Sequence, residues 1–97
     1  MAMKVKEHPY SKDREPLMAR MKRIEGQARG IQRMIEEDRY CIDIVQQLTA
    51  LSSAVDEVSL IILEGHVEGC VAEAIRERKA GPKIKELMQA VRKAMRR

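Results

Sequence analysis

Residues 41–70 read CIDIVQQLTALSSAVDEVSLIILEGHVEGC, and this stretch decides the fold. Its apolar side chains recur at steps of three and four residues, which is the spacing of one face of an α-helix. The stripe consists of Val45, Leu48, Leu51, Val55, Val58 and Ile62. We therefore predict one long helix from about Cys41 to about Arg78. Gly81 and Pro82 follow and are expected to end it.

A helix is also predicted on each side of this stretch. Apolar side chains repeat at helical spacing in LMARMKRIEGQARGIQRMIEE (residues 17–37), and Pro16 suits the first turn. Gly26 and Gly30 each cost that helix about 1 kcal/mol relative to alanine, and we expect close helix packing to explain them. A short third helix is predicted for KIKELMQAVRKAM (residues 83–95). Nothing predicts a strand, so the fold class is all-α with three helices per chain.

The composition predicts one small domain that is short of core. The chain has 97 residues, no Phe or Trp, two Tyr and 35% charged side chains. A lone copy would bury too little apolar surface to offset the loss of conformational entropy, so we expect the chain to oligomerise. Residues 1–14 have no apolar periodicity and are predicted to form a flexible arm before a single domain of residues 15–97.

The sequence predicts neither a membrane span nor a secretion signal. It has no run of about 18 apolar residues, and the opening MAMKVKEHPYSKDREP lacks the apolar centre of a signal peptide. We therefore expect a cytoplasmic protein. Thiols stay reduced in that compartment, so Cys41 and Cys70 are expected to be ligands, redox centres or buried apolar side chains, and not a structural disulfide.

Charge is strongly segregated along the chain. Residues 1–33 carry nine Lys or Arg and four Asp or Glu, residues 34–75 carry one and nine, and residues 76–97 carry nine and two. Basic surfaces attract phosphate backbones and release counterions on binding, which makes nucleic acid a candidate partner. The charge alone is equally compatible with a solvated helix face and a basic tail.

His66, Cys70 and Cys41 all continue the apolar stripe of the long helix. His66 and Cys70 are separated by about 40° around the helix and about 6 Å along it, a usual arrangement for two ligands of one ion. Cys41 points in nearly the same direction but lies about 43 Å from Cys70 on a continuous helix. An antiparallel second copy would bring its own Cys41 beside His66 and Cys70, giving two equivalent intersubunit sites. Small side chains at the centre would let the backbones approach: Ser52, Ser53 and Ala54.

Each of these ligand candidates has a simpler explanation when it is taken alone. A cysteine in an apolar stripe is most often a small buried side chain, and a lone histidine is more often held by a hydrogen bond than by a metal. The combination favours a shared site. Two thiolates and one imidazole form a soft trigonal set, which fits Cu(I) better than Zn(II), Ni(II) or Co(II). No Cys, His and acid cluster within one chain indicates an activated nucleophile, so we do not expect an enzyme.

The segments RIEGQARG (residues 23–30) and HVEGC (residues 66–70), with Cys41 between them, resemble the copper-sensitive operon repressor (CsoR) family of small helical bacterial regulators. The match is close over residues 20–70 and looser through the third helix. The resemblance implies an antiparallel four-helix-bundle dimer, assembly of dimers into a homotetramer, and binding of operator double-stranded DNA without a helix-turn-helix. It also implies that Cu(I) weakens the DNA complex and so derepresses copper efflux genes.

The resemblance also implies roles for individual residues. The metal ligands would be Cys41 of one subunit with His66 and Cys70 of the other. Tyr40 and Glu86 would hydrogen bond to this ligand set and couple it to the third helix. The implied DNA contacts lie in the first helix, the last three of them by neighbourhood alone: Arg20, Lys22, Arg23, Gln27, Arg29 and Arg33.

Relatives on the same scaffold respond to other signals. Nickel and cobalt sensors carry His at the position of Cys70 and add an N-terminal His, whereas formaldehyde sensors use the first Cys with an N-terminal amine. Persulfide sensors keep both cysteines and lack the His, so the alternative function is a thiol- or persulfide-responsive repressor that uses Cys41 and Cys70. His8 is interpreted as an arm residue before Pro9. The set completed by His66 favours copper.

Overall fold

The structure is a computed structural model that describes residues 9–95. Those residues contain no β-strand, and the all-α prediction is confirmed. The elements in chain order are a 3-10 turn (Pro9–Asp13), α1 (Arg14–Glu36), α2 (Cys41–His66), a π-helical turn (Val67–Val71), α3 (Ala72–Arg76) and α4 (Ala80–Met95). The three predicted helices correspond to α1, to the uninterrupted segment from α2 through α3, and to α4.

Part of the predicted arm lies within the described residues. Residues Pro9–Asp13 form a 3-10 turn that leads directly into α1. The rest of the predicted arm, including His8, lies outside the described residues.

The long helical segment ends at Arg76, near the predicted end at Arg78, but not for the predicted reason. Gly81 and Pro82 do not terminate it. They lie in the first turn of α4, which begins at Ala80, before the predicted start of the third helix. Proline is tolerated there because the first N–H groups of a helix have no partner within the helix.

A backbone cap ends α1 instead. Asp38 has φ 52°, and its N–H donates to the carbonyl of Ile35 at 3.1 Å. The N–H of Arg39 donates to the carbonyl of Met34 at 2.9 Å. These two bonds form a Schellman motif, which satisfies carbonyl groups that a helix end leaves without partners.

The same motif ends α3. Arg78 has φ 59°, and its N–H donates to the carbonyl of Ile75 at 3.0 Å, while Lys79 donates to Ala74 at 2.7 Å. The left-handed residue of such a cap is usually glycine, which tolerates positive φ without steric cost. Because aspartate and arginine occupy it here, neither end carried the usual sequence signal.

Residues 12–62 form one of two compact units. The buried side chains of α1 are Leu17 and Ile31, which lie on one face of the helix. Gly26 and Gly30 do not pack closely, because an added Cβ at either position would meet no atom within 4 Å. The expectation that close packing explains these two glycines is therefore wrong within the described chain.

The apolar side chains of α2 fall into two rows with different exposure. One row is half-buried and consists of Ile44, Leu51, Ala54, Val58 and Ile61. The other row is exposed and consists of Val45 (55%), Leu48 (46%), Val55 (45%) and Ile62 (36%). We call these four residues the exposed α2 row. A contiguous apolar row that the chain leaves uncovered is typical of a protein–protein contact.

Among the described residues, the other compact unit contains residues 9–11 and 63–95. Within its described part, α3 and the π-helical turn pack against α4. Its buried residues are small or β-branched: Gly65, Val71 and Ala74. No helix in residues 9–95 combines the length and the apolar character that crossing a bilayer requires.

Candidate metal centre and nucleic-acid surface

Cys41 is the first residue of α2 and belongs to the unit of residues 12–62. Its thiol is free and exposed. It precedes the exposed α2 row on the same helix face, since Val45 lies one turn further along. Tyr40, next to it in the chain, is 66% exposed. The first predicted ligand is therefore placed at the helix start with its sulfur open to an incoming group.

His66 and Cys70 belong to the other unit and lie at the junction of two kinds of helix. His66 is the last residue of α2, and Cys70 lies in the π-helical turn Val67–Val71. Each N–H of a π-helix bonds the carbonyl five residues back, so the turn is wider than that of an α-helix. In such a turn, two residues four positions apart differ in angle around the helix axis by less than the predicted 40°.

The π-helical turn is a structural feature that the sequence did not predict. The sequence carries only a weak local signal for this turn. Gly65 directly precedes His66 and Gly69 directly precedes Cys70, and glycine is a poor helix former. Single π-helical turns inside α-helices occur frequently at functional sites. The turn that carries Cys70 begins directly after His66.

Glu86 of α4 lies beside His66, as the resemblance implied. The Nε2 atom of His66 is 3.7 Å from Oε1 of Glu86, with the two side chains 23% and 63% exposed. This distance is longer than a hydrogen bond but within reach of a small side-chain movement. The Nε2 atom therefore faces Glu86, and Nδ1 is the ring nitrogen that does not.

The described residues include no group of three His, Cys, Asp or Glu side chains that could hold a metal ion. The donors themselves fit Cu(I), since both cysteines are free thiols and the imidazole is partly shielded from solvent. The soft donor chemistry is present, but one chain does not assemble it.

The predicted DNA contacts on α1 divide into exposed and half-buried side chains. Five of the six are exposed: Arg20, Lys22, Arg23, Arg29 and Arg33. At 100° per residue, Lys22, Arg29 and Arg33 share one face within about 40°. Arg29 forms an ion pair with Glu25 one turn earlier. Three of the exposed basic side chains of α1 therefore share one side of the helix, whereas Arg20 lies about 160° around the helix from Lys22.

Gln27 differs from the other predicted DNA contacts. It is half-buried, and its Oε1 atom is buried without a hydrogen-bond partner among residues 9–95. A buried acceptor without a donor is costly, by about 1–3 kcal/mol. The side chain points toward protein and away from solvent, which disfavours a direct DNA contact.

The chain belongs to the metal-sensitive transcriptional repressor family, whose pattern matches residues 13–93. This membership accounts for the helical fold, the thiol and imidazole set and the basic helix together. It also confirms that the chain is a regulator and not an enzyme.

Several characterised proteins are similar to this chain over most of its length. The copper-sensing transcriptional repressor CsoR of Bacillus subtilis (strain 168) is 45% identical over 86 residues, which cover 89% of this chain and 85% of that protein. The crystal structure of the copper-sensing repressor CsoR with Cu(I) from Geobacillus thermodenitrificans NG80-2 matches with a TM-score of 0.80 and 41% sequence identity. The match covers 96% of this chain and 92% of that chain. The nickel-responsive transcriptional regulator InrS matches with a TM-score of 0.74 and 32% sequence identity, over 84% of this chain and 91% of that chain.

Proposed function

We propose that the protein is a Cu(I)-responsive transcriptional repressor that binds operator DNA without metal and releases it when Cu(I) binds. The observation that carries the proposal is the donor set of Cys41, His66 and Cys70: two free thiols with a partly buried imidazole. The relatives of higher identity are named for copper sensing, and the nickel-responsive neighbour is more distant. Soft thiolate donors select Cu(I) over harder metal ions.

The proposed active form is a dimer or a homotetramer made of two such dimers. The exposed α2 row gives each chain an apolar surface that a second α2 would cover in an antiparallel bundle. That arrangement brings Cys41 of one copy to the His66 and Cys70 end of the other. The proposal also implies a cytoplasmic protein, because operator DNA is located there and thiols remain reduced.

Glu86 is proposed to transmit the metal signal to α4. A His66 ring that ligates through Nδ1 carries its proton on Nε2, and that N–H would donate to the carboxylate now 3.7 Å away. Shortening this contact would draw α4 toward the metal end of the long helical segment. A coupling of about 3 kcal/mol between the metal and DNA sites would lower operator affinity about 150-fold.

The alternative, a thiol or persulfide switch on Cys41 and Cys70, is not favoured. Such a switch does not require an imidazole, whereas His66 lies four residues before Cys70 and 3.7 Å from Glu86. The closer relatives are named for copper sensing.

Mixing two inactive variants tests the intersubunit site. Cys41→Ser and Cys70→Ser should each lose tight Cu(I) binding, because each removes one thiolate from every site. A heterodimer of the two has one intact site, with Cys41 from one chain and Cys70 from the other. After refolding a 1:1 mixture under anaerobic conditions, we expect about one tightly bound Cu(I) per four chains, measured against a competing chelator.

Two outcomes would contradict this proposal. A mixture that binds no more Cu(I) than the separate variants excludes a site shared between chains. Operator affinity of the parent protein that is unchanged by Cu(I), measured by fluorescence anisotropy, excludes the regulatory function. The Tyr10→Phe variant, altered outside the site, serves as a control for handling during refolding.

A further inference from the structure

The exposed face of α2 follows a heptad repeat that includes two serines. Its members are spaced by alternating steps of four and three residues, as in the seam between two coiled helices. They are Cys41, Val45, Leu48, Ser52, Val55, Ser59, Ile62 and His66. Ser52 and Ser59 are exposed, and at 100° per residue both lie within about 40° of Leu48. We call these residues the α2 seam; it consists of the exposed α2 row, the two serines and two predicted metal ligands.

The structure changes which small side chains of α2 can face a second copy. The sequence indicated Ser52, Ser53 and Ala54 together, but Ala54 belongs to the half-buried row. Ser53 lies about 140° around the helix from Leu48, and its hydroxyl donates to a backbone carbonyl one turn earlier at 3.2 Å. The small side chains of the α2 seam are therefore Ser52 and Ser59, one heptad apart.

The α2 seam fits an antiparallel second copy of the chain. Cys41 is at one end of α2 and His66 is at the other, and the described residues of one chain include no group of three side chains that could hold a metal. An antiparallel copy is the partner that supplies the missing ligand at both ends. With these ends opposed, Leu48 of each copy would face Ser59 of the other, and every layer in the middle of the seam would contain a serine.

Serine in the middle of such a seam sets the distance between the two helices. Packed helices lie about 8–10 Å apart, and the distance depends on the side chains at the contact. Serine is shorter than the branched apolar residues that are usual at these positions, so the helices can approach the lower end of this range. Metal coordination is sensitive to that spacing, because ligand distances of about 2.0–2.3 Å must be kept within about 0.2 Å. A ligand set drawn from both helices therefore forms at one spacing and fails at a wider one.

We propose that Ser52 and Ser59 hold the two α2 helices close enough for ligands from both copies to reach one Cu(I) ion. The serines act through their size and do not ligate the ion. The inference rests on the proposed intersubunit metal site and specifies what sets its width. It also explains why polar side chains occupy positions where larger apolar ones would bury more surface.

Enlarging both serines should separate metal binding from association. For the double variant Ser52→Leu with Ser59→Leu, we expect a dimer whose dissociation constant is no higher than that of the parent protein, because the larger side chains bury more apolar surface. Its affinity for Cu(I), measured by chelator competition under anaerobic conditions, should fall about tenfold to 100-fold. X-ray absorption should show fewer sulfur ligands per Cu(I), because His66 and Cys70 of one chain then hold the ion without Cys41.

Two control variants separate the size of the serines from their chemistry and their position. Ser52→Ala with Ser59→Ala removes both hydroxyl groups but keeps the side chains small, so its affinity for Cu(I) should equal that of the parent protein. Ser53→Leu adds the same bulk to an exposed serine outside the α2 seam, and it should also leave Cu(I) affinity unchanged. Sedimentation equilibrium gives the dimer dissociation constant of every variant.

Three results would overturn the inference. The first is a double leucine variant that binds Cu(I) as tightly as the parent protein. The second is an equal loss of affinity in the double alanine variant or in Ser53→Leu, which would assign the effect to the hydroxyl groups or to bulk anywhere on α2. The third is a double leucine variant that stays monomeric where the parent protein dimerises, which would show that the serines support association itself. If the parent protein binds no Cu(I) or fails the mixing experiment, the proposed function fails instead, so the two failures are distinguishable.

Discussion

Truncation of one side chain in the exposed α2 row should weaken the dimer by a predictable amount. Leu48 is 46% exposed in the single chain. Full burial of a leucine contributes about 1.5–3 kcal/mol, so covering the exposed half contributes about 0.7–1.4 kcal/mol. A two-fold axis doubles this, and Leu48→Ala should cost the dimer about 1.5–3 kcal/mol. The dissociation constant should rise about tenfold to 150-fold.

Leu60→Ala is the matched control for this measurement. Leu60 is on the same helix and is 59% exposed, but it lies about 120° away from Leu48 and outside the exposed α2 row. Sedimentation equilibrium at several protein concentrations gives the monomer–dimer constant for each variant. The reasoning is refuted if Leu60→Ala weakens the dimer as much as Leu48→Ala does, or if Leu48→Ala has no effect.

Two further predictions concern the metal signal and the helix caps. His66→Ala should impair copper-dependent release of DNA more than it impairs Cu(I) binding, because the two thiolates still hold the ion, and Glu86→Ala should have the same effect. Chelator competition measures Cu(I) binding and DNA anisotropy measures release, both on one preparation. Normal release in both variants would contradict the proposed role of Glu86. Asp38→Gly should raise the free energy of unfolding by up to about 1 kcal/mol, because glycine adopts the observed φ of 52° without strain. Urea unfolding at fixed protein concentration checks this, and a lower midpoint would show that the Asp38 side chain contributes more than its backbone strain costs.

The fold was predictable because periodicity is strong wherever a helix has a buried side. The stripe of α2 identified a long helix correctly, but sequence could not show that it consists of two rows. Leu51 is half-buried by its own chain, whereas Leu48 remains exposed. Both rows of α2 are equally apolar in sequence, so hydrophobicity cannot show which row packs within the chain and which stays exposed. Only tertiary packing decides this.

Helix ends and local geometry were less predictable. Gly81 was expected to end a helix, yet the actual caps use Asp38 and Arg78 at positive φ. The π-helical turn at Cys70 has no strong compositional signature. Such a turn differs from an α-helix in its backbone hydrogen bonds, which reach back five residues and not four, and every residue type except proline can form them. Gln27 read as a surface residue, but the direction of an amide side chain depends on neighbours that sequence does not specify.

The ligand candidates came from spacing and residue chemistry, which are properties of sequence. Cys41, His66 and Cys70 share one helix face by arithmetic, and soft donors select the metal class. The contact between His66 and Glu86 joins segments that are separate in the chain, so it was implied only by resemblance to a family. Whether the three ligands meet around one ion remains a prediction that the mixing experiment tests.

The hydrogen-bonded cap of α1 extends to Arg39, and Tyr40 alone separates it from the start of α2 at Cys41. The N–H of Glu37 donates to the carbonyl of Arg33 at 3.0 Å, and the N–H of Arg39 donates to that of Met34 at 2.9 Å. Cys41 follows two residues later. If Cys41 ligates a metal, as we propose, displacement of its sulfur would act on this hydrogen-bonded turn, which includes the carbonyl of Arg33. The proposed metal ligand and a proposed DNA contact are thus eight residues apart in the chain and joined through one helix end.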